Sequence, residues 1–122
     1  MNAKESIRPK LAVSENTASK TAIETFQNVT LRPILKLQHD LLLAVFENYL
    51  QRKKIDLNQL SEPKKTEVVY GIFKTDNAYK TEIKGLIVGH FTVAEYHNYL
   101  AVAADANKRI WAMASQRLLS AL

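Results

Sequence analysis

The chain has 122 residues, 47% apolar and 24% charged, which fits one ordinary globular domain and excludes wholesale disorder. With no cysteine it has no disulfide, thiolate zinc site or cysteine nucleophile, and three Gly and three Pro are too few to turn a many-stranded sandwich or barrel. The net charge of +5 invites nucleic acid, but Asp56, Glu62 and Glu67 interrupt the basic run from Arg52 to Lys74, which argues against that partner.

Residues 1–13 read as an N-terminal tail, since Arg8-Pro9 interrupts any helix there. The segment has no apolar stretch of export-signal type, and the longest uncharged run, Gly85 to Ala94, is far too short to span a membrane. The cytoplasm is therefore the expected compartment. Residues 14–122 form one helical domain. A first helix starts at Ser14, with Ala18, Ala22, Ile23, Phe26 and Val29 on its apolar stripe, and ends near Asn28. Thr30 caps a second helix, with Pro33 in its first turn and Lys53 and Lys54 at its C-terminal dipole. Leu41 to Phe46 is apolar all round, which makes this helix the expected centre of the fold.

Ser61 or Glu62 before Pro63 opens a third helix with Val68, Val69, Ile72 and Phe73 on one face. Thr75, Asp76 or Asn77 ends it and caps a fourth, running to about Val88. Thr92 and Glu95 form a capping box that opens the last and longest helix, which can run to about Ala121. Its 3-4 stripe, Val93, Tyr96, Leu100, Ala103, Asn107, Ile110, Ala114, Arg117 and Ala121, predicts a seam for a neighbouring helix. The expected architecture is all-α: about five helices in one bundle, with a long C-terminal helix.

Few residues point to chemistry. His90, Glu95 and His97 come nearest to a metal set, but the capping box accounts for Glu95 and the apolar stripe of the fourth helix for His90, so no metal or cofactor is expected. Arg32, Arg109 and Arg117 each lie beside apolar positions, where a planar guanidinium holds a buried carboxylate, a partner chain or an anionic ligand. Pairing with Asp40, Glu47, Glu95 or Asp105 is the expected arrangement. The residues that a ligand pocket between helices would use are Arg32, His90, Glu95, Tyr96 and Arg109.

Three blocks, FQNVTLRPILKLQHDLL (26–42), GLIVGHFTVAEYHNYL (85–100) and NKRIWAMASQRL (107–118), together resemble a family of small bacterial proteins of unassigned function. Its pattern is F-Q-N-x-T-L-R-P-I-x-K-L-Q, G-x-F-T-x-E-Y and N-K-R, and some members carry a glyoxalase label. That label would imply a metal-dependent enzyme built from βαβββ modules, for which this chain offers no convincing strand. The function expected from the residues is a non-catalytic helical module that self-associates into a homo-oligomer, because the second and last helices carry more apolar surface than a small bundle covers. The alternatives are a small-ligand or metal-dependent enzyme with an inter-helix pocket, and weak nucleic-acid binding through residues 52–65.

Overall fold

The computed structural model describes residues 3–9 and 21–122. These form α1 (Ala3–Ser6), α2 (Ala22–Phe26), a π-helical turn (Gln27–Leu31), α3 (Arg32–Leu37), α4 (His39–Lys53), a 3-10 turn (Leu57–Gln59), α5 (Glu62–Thr75), α6 (Asn77–Val88), α7 (Val93–Ala101) and α8 (Ala103–Ala121). The all-α class and the long C-terminal helix stand as expected. The number of helices does not, because both of the longest expected helices are broken by a single residue. The predicted Ser14 cap lies outside the described residues.

The capping signals act as read. Asp76 Oδ1 accepts the Tyr79 amide, Pro63 sits in the first turn of α5, and both bonds of the Thr92–Glu95 capping box are made. Lys54 ends α4 in the left-handed conformation at φ 56°, a position glycine usually fills. Thr30 behaves differently. It is not a cap but a buried residue inside a helix that continues from α2 to α3. Pro33 cannot donate an amide hydrogen, and its ring would meet the Val29 carbonyl in a regular α-helix. The turn before it is widened to π spacing, with the Arg32 amide donating to Gln27 O, so the chain passes the proline without stopping.

The first single-residue break is Gln38, at φ −90° and ψ 6°, which separates α3 from α4 while its Nε2 donates to Leu86 O at 3.1 Å. The second is Val102, at φ −131° and ψ 25°, between α7 and α8. The Tyr99 hydroxyl bridges that break by donating to Asn107 Oδ1 at 2.6 Å. The break also rotates the burial. Ala106, Ile110, Ala114 and Leu118 are the buried stripe of α8: Ile110 and Ala114 belong to the predicted seam, whereas Ala106 and Leu118 take the places expected of Asn107 and Arg117. In α7 only Tyr99 is buried, whereas Val93, Tyr96 and Leu100 from that seam are exposed.

The centre of the fold is α8 rather than the Leu41–Phe46 segment, since α8 packs on α2, the π turn, α4, α5, α6 and α7. Leu42 and Phe46 are buried, but Leu41 is exposed. Two aromatic groups anchor opposite parts of the core. Tyr79 meets Tyr49 at 4.7 Å and Phe73 at 5.3 Å between ring centroids. Phe26 meets Phe91 edge-on at 5.6 Å, and Phe91 meets Tyr99 at 5.5 Å. No helix among the described residues is long and apolar enough to cross a membrane.

Candidate functional site

The second aromatic group lies under a polar cluster centred on Glu95. Because the capping box holds Glu95 at the third position of α7, its carboxylate faces back over the α6–α7 turn, where Oε1 accepts the Thr92 amide at 2.8 Å. Residues 3–9 lie across this turn. Arg8 grips the carboxylate with both arms of its fork, Nη1 to Oε2 at 2.7 Å and Nη2 to Oε1 at 2.8 Å, and Nη2 also donates to His90 O. Lys4 Nζ donates to Gly89 O at 3.2 Å and to Phe91 O at 3.0 Å. The Thr30 hydroxyl donates to Glu95 Oε2 at 3.3 Å from the π turn.

The side chains of Arg8 and Glu95 are only 6% and 12% exposed, so this is a largely dry ion pair. Burial pushes the Glu95 carboxyl pKa up, but the Arg8 fork, the Thr92 amide and the Thr30 hydroxyl outweigh it and hold the pKa below the ordinary carboxylate value. An acid held this way keeps its charge and has its lone pairs committed. Its chemistry is that of a latch, not of a general acid.

Next to the latch, α8 is tied to the π turn by Arg109 Nη1 donating to Gln27 Oε1 at 2.6 Å. A cleft of about 440 Å³ opens between the π turn and α7, lined by Phe26, Val29, Thr30, His97, Ala101 and Val102 among others. Outside the lining of this cleft, α7 presents Val93, Tyr96 and Leu100, which are 75%, 43% and 53% exposed.

Of the residues named from sequence, His90 and Glu95 are brought together by Arg8, His90 through its backbone carbonyl alone. Tyr96 is exposed beside its buried neighbour Tyr99, and the two rings stack at 5.9 Å. Arg109 is satisfied by an amide oxygen, and Arg32 lies exposed on α3. His97 is exposed on the cleft, apart from the Arg8 contacts. Among the described residues no three His, Asp or Glu side chains gather where they could hold a metal ion.

The expectation that Arg32, Arg109 and Arg117 pair with Asp40, Glu47, Glu95 or Asp105 fails: none of the three reaches a carboxylate among the described residues. Glu95 takes Arg8 instead, 87 positions away in the chain, and no spacing signal marks a partner at that distance. No protein-family model, curated protein or solved structure matches this chain.

Proposed function

We propose that the protein is a non-catalytic helical module that self-associates through α7. The observation that carries this reading is the run of Val93, Tyr96 and Leu100 on the outer face of one short helix, three large apolar side chains left in water. The same helix edges the cleft through His97 and Ala101, so α7 supplies both projecting side chains and one wall of a recess. A two-fold pair needs such a self-complementary patch, because each copy must give and receive the same contacts. The polar groups near it support the reading, since Glu95, Thr30, Gln27 and Arg109 are engaged in holding α7 and α8 in place.

Size-exclusion chromatography with light scattering tests it. The expected result is a dimeric mass for the full chain, and a monomeric mass for the Tyr96→Ser, Leu100→Ser double variant with an unchanged helical circular dichroism spectrum. A wild-type chain that stays monomeric at high concentration overturns it.

A further inference from the structure

Tyr79 of α6 is 3% exposed and packed against Phe46, Tyr49 and Phe73, yet its hydroxyl is buried without a hydrogen-bond partner. A hydroxyl in that position is costly unless something accepts its proton. The same side chain lines a cavity of about 130 Å³ between the end of α4 and the start of α6, whose other walls include Tyr49, Arg52, Lys53, Asp76 and Glu82. One water takes roughly 30 Å³ in the liquid, so the space suits a molecule of about four or five non-hydrogen atoms. Arg52, Lys53 and Glu82 are exposed, so such a molecule can reach it from solvent.

The charged walls are sorted by helix. Arg52 and Lys53 come from the last turn of α4, each with its cationic head 5.8 Å from the centroid of the Tyr49 ring. Asp76, the N-cap of α6, and Glu82 on that helix bring the negative charges. Both oxygens of Asp76 already have a donor, Oδ2 the Tyr49 hydroxyl at 2.6 Å and Oδ1 the Tyr79 amide at 3.0 Å. What remains for an occupant is the Tyr79 O–H and the two α4 cations as donors, and the Glu82 carboxylate as acceptor. The formal charges of the four walls cancel, which disfavours a simple anion or cation, and their division between two helices favours a dipolar molecule.

We propose that this cavity binds a small zwitterion, a free α-amino acid with little or no side chain. Its carboxylate accepts from the Tyr79 hydroxyl and from Arg52 or Lys53, and its ammonium donates to Glu82. None of these residues belongs to α7, so the proposal does not rest on self-association.

The test titrates glycine into the full chain at constant ionic strength, read by calorimetry and by the amide NMR signals of residues 76–82. Saturable binding is expected, with acetate and methylammonium, which each carry one half of the zwitterion, weaker by about tenfold or more. Acetate binding as tightly as glycine would overturn the assignment to a zwitterion, and a glycine response that never saturates would overturn the site. Tyr79→Phe should weaken glycine binding by about tenfold, the loss of one hydrogen bond to a charged group. Glu82→Gln should weaken glycine without weakening acetate, and Arg117→Gln on α8 should bind as the wild type does. Unchanged glycine binding in both Tyr79→Phe and Glu82→Gln overturns the proposal. Tyr79→Phe gives a second readout. Without glycine its thermal midpoint should equal or exceed that of the wild type, because an unpaired buried hydroxyl is gone. A lower midpoint would give that hydroxyl a structural partner and overturn the assignment.

Discussion

Arg8 and Arg117 are both drawn out of water by the fold, and the protein treats them in opposite ways. Arg8 has a carboxylate on both arms of its fork, a backbone carbonyl from His90, and Thr30 and Thr92 completing the shell of its partner Glu95. Arg117 has one imidazole nitrogen and a neighbouring positive charge. The first arrangement commits both Nη atoms, leaves Nε buried without a partner, and fastens residues 3–9 to the α6–α7 turn. The second is left open at the α3–α4 bend. Within one small protein, the difference separates a cation that holds the fold together from one with no carboxylate in ion-pair reach among the described residues.

The largest expected effect breaks the closed arrangement. Glu95→Gln leaves the Arg8 guanidinium largely buried without its counter-charge, and urea unfolding should show a loss of about 3–5 kcal/mol. A loss of under about 1 kcal/mol would place Arg8 among ordinary surface arginines.

Acid should act on the same bond. The folded pKa of Glu95 lies below its unfolded value, so its contribution is fully present above the ordinary carboxylate range and lost as pH falls through the folded pKa. The urea midpoint of the wild type should therefore fall more between pH 7 and pH 3 than that of Glu95→Gln. Asp76, whose pKa is lowered chiefly by the hydrogen bond from Tyr49, adds a fall of the same sign to both proteins, so the difference between the two slopes isolates Glu95.

Smaller effects sharpen the contrast. Thr92→Ala removes the other half of the capping box and should cost about 1 kcal/mol by chemical denaturation. Thr30→Val deletes the long, weak hydroxyl contact to Glu95 and should cost about 0.5–1 kcal/mol. Arg117→Met, which loses only the 3.4 Å contact to His39, should cost under about 1 kcal/mol by urea unfolding, the reverse of Glu95→Gln.

Much of the backbone was legible from local chemistry. The Thr92–Glu95 box, the Asp76 cap and the Pro63 start each act within one turn of helix, so residue type and spacing are enough to place them. Thr30 was misleading because Ser or Thr just before a proline resembles a helix start. The chain instead widens into a π turn ahead of Pro33, and the buried Thr30 finds its side-chain partner in Glu95, 65 positions away. The predicted seam on the last helix assumed one uninterrupted phase. The break at Val102 resets it, so that Val93, Tyr96 and Leu100 are exposed while Ile110 and Ala114 of the same seam are buried.

For the candidate site, the three arginines could be singled out from their apolar neighbours, but their partners could not. Arg8 gave no local signal at all, since its value comes from the position of a carboxylate on a distant helix.

The sequence alone determined that the protein is helical, where α5, α6 and α7 begin, and which residue types could hold an anion, because those properties depend on contacts within a few residues. Only the tertiary structure decided which cation receives the carboxylate and which side of α7 faces water. A charge is satisfied by whatever lies near it in space, and in this chain that neighbour is set by how α8 gathers the other helices around it.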